Sequence, residues 1–206
     1  MLVVGTRAIP SEVPWPIIGR AGALASANAA LDADGSVVFA GEAGIGKTAL
    51  AALLAAELEA QSDAEVTRLA ATSLIGLPLD AFGALVDEQG DSAARAVVVL
   101  DDIQLLDDDA AVVLHRLVSD GRLQLVATLR TGETTPAAAT ALWKDGLVER
   151  IDLERLTHEQ IDEVIDCVLD GPVDPEISHQ LRVDAQGSPL MLRELLRAPL
   201  ANNTLR

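Results

Sequence analysis

The sequence predicts an α/β domain built on a parallel sheet of five strands with helices on both faces, followed by a small helical segment. Five short apolar runs alternate with helical patterns up to Leu153, and nearly continuous apolar runs are typical of strands buried in a parallel sheet. After Leu153 no further strand pattern occurs. The chain has 206 residues, half of them hydrophobic, which is enough to bury a core.

The strands are expected over residues 37–40, 66–71, 96–100, 123–129 and 148–153. Helices are expected over 20–31, 47–60 and 79–87, and two more begin after Asp107 and at Thr135, each of which can cap a helix. Pro136 would then occupy the first position of its helix. In the helix from 47, leucines recur at the spacing of one apolar face.

Residues 154–206 are expected to form a helical subdomain after a core of residues 1–153. Thr157 followed by Gln160 is a capping box, and Asp174 before Pro175 is a second helix start. A third helix follows Pro189, and residues 198–206 have the pattern of an unfinished connector. The single cysteine, Cys167, falls beside an apolar helical stripe and is expected in the core rather than as a nucleophile.

Composition excludes several classes of function. The formal net charge is −17, which would repel nucleic-acid phosphates and anionic membranes from a surface built by this chain alone. One cysteine excludes an internal disulfide framework and a cysteine-rich zinc site. No apolar run approaches the roughly 18 residues of a membrane span, and no secretory signal is visible, so we expect a cytoplasmic protein.

A phosphate-binding loop stands between the first strand and the following helix. It matches G-x-x-x-x-G-K-[ST] at every fixed position, as Gly41-Glu42-Ala43-Gly44-Ile45-Gly46-Lys47-Thr48. Glycines allow several backbone N–H groups to face one phosphate, and the helix adds its positive end. Lys47 should reach the β- and γ-phosphates, and the Thr48 hydroxyl should bind Mg²⁺.

Two carboxylates, Asp101 and Asp102, end the apolar third strand. Buried parallel strands deliver their last residues to the carboxyl edge of the sheet, where ligands bind. Asp101 is expected to hold Mg²⁺, and Asp102 to orient or deprotonate the attacking water. At the end of the fourth strand, Thr128 and Arg130 project on one side, and both are expected to approach the γ-phosphate.

These segments together resemble the nucleotide-binding domain of the STAND class of P-loop NTPases, specifically the large ATP-binding regulators of the LuxR type. The resemblance covers nearly the whole chain. It rests on the phosphate loop, the acidic strand, Thr128 with Arg130, and four further segments: Ile17-Ile18-Gly19-Arg20, Leu77-Pro78-Leu79-Asp80-Ala81-Phe82, Ile103-Gln104-Leu105-Leu106-Asp107 and Gly187-Ser188-Pro189-Leu190.

The resemblance implies a P-loop NTPase fold with strand order 5-1-4-3-2 and a site for ATP or ADP with Mg²⁺. The residues expected to contact nucleotide are Ile18, Gly19, Arg20, Gly41, Glu42, Ala43, Gly44, Ile45, Gly46, Lys47, Thr48, Ala49, Arg130 and Pro189. Among these, Arg20 and Pro189 would flank the base. Lys47, Asp102 and Arg130 are the expected catalytic residues, and Thr48 and Asp101 the metal ligands.

The implied function is an ATP-binding switch with slow hydrolysis that controls self-association and transcriptional activation. The chain would then be the N-terminal part of a longer regulator, with DNA contacted only through a further domain. The alternative is a turnover ATPase of the AAA+ kind that remodels protein or DNA, for which Arg150 or Arg155 could serve as the arginine offered to a neighbouring subunit. A third possibility is that the isolated chain is an inert fragment. A small-molecule kinase is disfavoured.

Overall fold

The computed structural model describes residues 15–61, 66–76, 96–169 and 173–201. Clustering of contacts divides the chain into two compact units. The larger holds 22–43 and the described residues of 47–153, and the smaller holds 15–21, 44–46 and the described residues from 154 onward. The helix expected over 79–87 and the Leu77–Phe82 segment lie outside the described residues.

The larger unit is a five-stranded parallel sheet with its helices. Its strands are β1 (Val37–Gly41), β2 (Val66–Ala70), β3 (Ala96–Asp101), β4 (Leu123–Arg130) and β5 (Glu149–Asp152). The sheet order is β2-β3-β4-β1-β5, which is the expected order read from the other edge, so the predicted fold class and strand order are confirmed. The neighbours pair in parallel throughout.

Burial along each strand follows its place in the sheet. The interior strand β1 is buried at all five positions because helices cover both faces, whereas the edge strands β2 and β5 carry only half-buried and exposed residues. The core between the sheet and its helices is aliphatic and includes Val38, Leu100, Leu114, Leu125 and Leu142. The register places Gly41 beside Arg130 and Ala70 beside Asp101, which aligns the carboxyl ends of four strands.

The helices of the larger unit are α1 (Ala21–Asp32), α2 (Lys47–Gln61), α3 (Asp108–Ser119) and α4 (Ala137–Lys144). Asp107 caps α3 as predicted, accepting a hydrogen bond from the Ala110 N–H at 2.8 Å. The Gly76 N–H also donates to this carboxylate, and these two backbone hydrogen bonds hold the pKa of Asp107 below its usual value.

The smaller unit contains α5 (His158–Val168), α6 (Pro175–Ala185) and α7 (Pro189–Ala201). The predicted capping box of α5 is present, because the Thr157 hydroxyl accepts from the Gln160 N–H and the Gln160 side chain accepts from the Thr157 N–H. Asp174 caps α6, with Pro175 at the first helical position as predicted. An aliphatic cluster that includes Leu156, Ile161, Ile165, Leu192 and Leu196 forms the core of this unit.

Four local predictions were wrong. Thr135 does not cap α4, since Pro136 occupies the cap position and the helix begins at Ala137. Ala71 leaves β2 for a short 3₁₀ turn, and the connector expected from residue 198 is still helical at Ala201. Cys167 is exposed, because the buried face of α5 follows Ile161, Val164 and Ile165. Among the helices of the described ranges, none has the length and apolar character needed to cross a membrane.

Candidate functional site

The Lys47 side chain lies at the start of α2 and turns back onto the phosphate loop. Only 6 % of the residue is exposed, and its ammonium donates hydrogen bonds to the carbonyl oxygens of Gly41 at 3.0 Å and Glu42 at 2.8 Å. Burial lowers the pKa of Lys47 from its usual value, opposed by the attraction of Asp102. A desolvated cation beside the loop is suited to an anionic ligand.

Thr48 and Asp101 bring hard oxygen atoms together from two different elements. The Thr48 hydroxyl, on the first turn of α2, donates to the Asp101 carboxylate at the end of β3, with an Oγ1–Oδ1 distance of 3.0 Å. Mg²⁺ is usually held by one or two protein oxygens plus phosphates and water. This pair fits that requirement, and within the described ranges there is no larger cluster of histidine, cysteine or acidic side chains that could hold a metal.

Thr128 is a fully buried polar residue that is hydrogen-bonded to both Asp101 and Asp102. Its hydroxyl donates to Asp101 Oδ1 at 2.5 Å and accepts from the Asp102 N–H at 2.8 Å. Both hydrogen-bonding roles of this hydroxyl are used within the protein. Besides its expected approach to the γ-phosphate, which stays a prediction, Thr128 therefore orients the two aspartates.

Arg130 ends β4 beside Asp102. Its guanidinium lies 3.8 Å from the Asp102 carboxylate and 3.1 Å from that of Glu133. The side chain is 41 % exposed, so the cation can reach a ligand at this edge of the sheet. Gln104 joins the same group, because its side chain bonds both the Asp102 carboxylate and the Arg130 backbone N–H.

In the smaller unit, the tip of the phosphate loop is bound by Arg20 and by the start of α7. Arg20 is buried and donates to the Ile45 carbonyl at 3.1 Å, and burial lowers the pKa of its guanidinium against the attraction of Glu154. The Leu190 N–H donates to the Gly44 carbonyl at 3.2 Å. Arg20 is thus engaged with the loop backbone.

Gly44 has a second constraint besides its positive φ of +76°. A Cβ at this position would lie 3.0 Å from the Leu190 Cβ and 3.1 Å from the Ser188 Oγ. The loop tip therefore packs closely against the residues around Pro189. Ile18, which packs against the aliphatic cluster, and exposed Gly19 belong to the same unit.

The residues predicted for the site thus form two groups, one in each unit. Lys47, Thr48, Asp101, Asp102 and Arg130 surround the carboxyl edge of the sheet in the larger unit, with Gly41, Glu42, Ala43 and Ala49 on the adjoining backbone. Gln104 and Glu133 also contact this group, although the sequence did not predict either contribution. A polar residue inside the otherwise apolar run from Ile103 to Leu106 is the signal that could have found Gln104.

Comparison with protein families matches residues 37–139, half of the chain, to the ATPase family associated with various cellular activities (AAA). Among curated proteins, the chain is 28 % identical over 200 residues to the Holliday junction branch migration complex subunit RuvB of Picosynechococcus sp.. It is 26 % identical over 225 residues to the chaperone protein ClpB 2 of Parasynechococcus marenigrum. These alignments cover 85 % and 95 % of the chain but only 51 % and 25 % of the two relatives.

Solved structures share the fold. The ORC1 protein of Aeropyrum pernix, solved in complex with DNA, matches with a TM-score of 0.71 at 18 % identity over 94 % of the chain and 62 % of that protein. RuvB of Thermotoga maritima matches with 0.65 at 20 % identity, covering 88 % and 63 %. AMPPCP-bound DnaA of Aquifex aeolicus matches with 0.62 at 14 % identity, covering 88 % and 61 %.

Proposed function

Because the chain belongs to the AAA family of ATPases, we propose that it binds ATP with Mg²⁺ and hydrolyses it at the carboxyl edge of the sheet. The observation that carries the proposal is the convergence there of the buried Lys47 ammonium, the Thr48–Asp101 oxygen pair and the Asp102–Arg130 pair. Loop amides and Lys47 bind the phosphates. Thr48 and Asp101 would hold Mg²⁺, which would supply neutralisation of the charge on the phosphate oxygens.

In the proposed reaction, Asp102 accepts a proton from water as the water oxygen bonds to the γ-phosphorus. The bond from that phosphorus to the β–γ bridging oxygen breaks, and its electron pair stays with ADP. The products are ADP and inorganic phosphate, and the proton passes from Asp102 to solvent. The Arg130 guanidinium donates hydrogen bonds to the γ-phosphate as negative charge shifts toward the leaving oxygen.

We propose turnover coupled to work on a protein or DNA assembly as the leading interpretation. This interpretation is supported by the sequence similarity to RuvB and ClpB, although both relatives are longer than the region that aligns with this chain.

The two arginines considered for a neighbouring subunit are engaged within this chain. Arg150 bonds Asp152 at 2.7 Å and lies 5.9 Å from the Trp143 ring centre, and Arg155 donates to the Gln186 carbonyl.

A second candidate is the ATP-dependent switch of a LuxR-type regulator. The contact between Gly44 and the first turn of α7 favours it, since a phosphate loop tied to a helix can transmit the nucleotide state to that helix. In this candidate, Pro189 and Arg20 flank the base and hydrolysis is slow. Sedimentation with and without ATP, together with steady-state phosphate release, separates the two candidates: assembly with rapid turnover favours the first, and a monomer with negligible turnover the second.

Nucleotide binding itself is tested by calorimetric titration of ATP into the parent chain and Lys47→Ala in the presence of Mg²⁺. The sequence has one other lysine, exposed Lys144, so Lys144→Ala is a matched control for loss of a single ammonium group. We expect Lys47→Ala to bind at least about tenfold more weakly, because it loses a desolvated charge that faces phosphate. Equal affinities for the parent and Lys47→Ala would overturn the proposal.

A further inference from the structure

Gln104 is a buried polar side chain that none of the proposed chemical steps uses directly. It lies in the 3₁₀ turn Ile103–Leu105, immediately after the acidic end of β3, and only 5 % of it is exposed. Ile103, which precedes it, and Leu106, two positions later, belong to the aliphatic core, whereas Leu105 is exposed. A primary amide buried in such surroundings is unfavourable unless its donors and acceptor are bonded.

Both ends of the Gln104 amide have partners in the candidate site. Its Nε2 donates to Asp102 Oδ1 at 3.0 Å, and its Oε1 accepts from the Arg130 backbone N–H at 2.9 Å. Gln104 therefore links the carboxylate at the end of β3 to the backbone at the end of β4. The Arg130 guanidinium approaches the other carboxylate oxygen, Asp102 Oδ2, at 3.8 Å.

The backbone of Asp102 is in an uncommon conformation that these contacts maintain. Its φ of 57° and ψ of 53° lie in the left-handed region, which costs a residue with a side chain about 1 kcal/mol. Such a conformation persists where surrounding contacts determine it. The Thr128 hydroxyl fixes the Asp102 N–H, while Gln104 fixes one oxygen of the side chain.

We propose that Gln104 is a positioning residue for ATP hydrolysis, holding the Asp102 carboxylate in the orientation from which its other oxygen takes a proton from the attacking water. The inference rests on the proposed function and adds a residue to it. With Oδ1 bonded to the Gln104 amide, Oδ2 is the oxygen that lies near the Arg130 guanidinium and stays available to accept a proton. Because Gln104 also bonds the backbone N–H of Arg130, it ties the Asp102 carboxylate to the end of β4.

The test compares Gln104→Met, which keeps the length of the side chain but loses both hydrogen bonds, with Gln104→Glu. The latter keeps an acceptor for the Arg130 N–H and sets a second carboxylate against Asp102. Gln124→Met is the matched control, because Gln124 lies near the start of β4 and its amide donates to the Leu31 carbonyl, away from the acidic pair. Single-turnover hydrolysis gives the rate of the chemical step, and titration with a fluorescent ATP analogue gives affinity.

We expect the single-turnover rate constant to fall about tenfold or more in both Gln104 variants, with the dissociation constant for nucleotide within about twofold of the parent. Gln124→Met should retain the parent rate constant. An unchanged single-turnover rate constant in Gln104→Met, or a loss of nucleotide affinity as large as the loss of rate, would overturn the positioning role. Absence of hydrolysis by the parent chain would instead overturn the proposed function, and the positioning role with it.

A second measurement needs no nucleotide. In the parent background Gln104→Glu should lower the Tm by about 3 °C at neutral pH, because two carboxylates then face each other. In an Asp102→Asn background the same substitution should cost little, since the asparagine amide can donate to the introduced carboxylate. Equal Tm losses in the two backgrounds would contradict the contact between Gln104 and Asp102 and would remove the basis of the inference.

Discussion

At the residue scale, the candidate site depends on side chains that hold other side chains. Thr128 is fully buried, and its one hydroxyl serves Asp101 and the Asp102 backbone together. In a low-dielectric interior, an unpaired donor or acceptor costs more than an ordinary hydrogen bond contributes. Removing such a hydroxyl is therefore expected to harm both stability and the orientation of the acidic pair.

Thr128→Val tests this expectation, since valine has the shape of threonine without the hydroxyl. We expect the free energy of unfolding to fall by about 2 kcal/mol, because the Asp102 N–H and an Asp101 oxygen lose a buried partner. Thr128→Ser keeps the hydroxyl and should cost less than about 1.5 kcal/mol for the lost methyl group. Urea unfolding measures both variants, and a Val variant as stable as the Ser variant would contradict the assigned role.

At the element scale, local sequence signals located the helices and strands well where the cause is local. The Asp107 cap, the Thr157–Gln160 capping box and the Asp174–Pro175 start each involve residues within a few positions of one another, so the sequence displays them directly. The strand order was also predicted correctly, because the resemblance to P-loop NTPases implies that arrangement.

The contacts that were not predicted, and the wrong prediction for Cys167, have a different physical origin. The Thr128–Asp101 hydrogen bond joins residues 27 positions apart, so no local pattern encodes it. Gln104 bonds Arg130 across 26 positions for the same reason. Cys167 was misplaced because a helical stripe gives the direction of the buried face but not its width, and the neighbouring elements leave that position uncovered.

Gly187, which lies just before α7, occupies a position that requires glycine. Gly187 has φ of +77°, and a Cβ there would lie 2.7 Å from the Arg155 Cβ and 2.8 Å from the Leu156 carbonyl oxygen. Gly146 has nearly the same φ, +76°, with no atom within 4 Å of a Cβ. The two positions therefore separate backbone strain from steric conflict.

We expect Gly146→Ala to cost about 1 kcal/mol from the left-handed backbone alone. Gly187→Ala should cost about 2 kcal/mol more, because the backbone oxygen of Leu156 has to move. Urea unfolding gives the totals, and hydrogen exchange should show faster opening of α7 in the Gly187 variant alone. Similar losses at both sites would show that steric conflict contributes nothing at Gly187.

At the scale of the whole molecule, the dominant feature is a formal net charge of −17 on 206 residues. Several acidic side chains are paired on the surface, for example Glu59 with Arg68 and Asp162 with Arg182. The 15 basic residues leave most of the 32 acidic ones to repel one another through solvent. Binding of any polyanionic partner to this domain therefore has to overcome long-range electrostatic repulsion.

This charge predicts that the free chain is stabilised by simple salts. Raising the ionic strength from about 0.01 M to about 0.15 M shortens the Debye length from about 30 Å to about 8 Å, so self-repulsion in the folded state falls. We expect the Tm to rise by about 3 °C or more in sodium chloride. Tetramethylammonium chloride should give the same increase, whereas an effect of sodium alone would indicate specific ion binding.

The exposed position of Cys167 also has a practical consequence. The sequence contains a single thiol, and it stands at the solvent side of α5 in the unit that binds the tip of the phosphate loop. A maleimide dye can therefore be attached at one defined place without engineering the chain. Changes in its emission or anisotropy when ATP or ADP is added would report whether the helices around it respond to nucleotide.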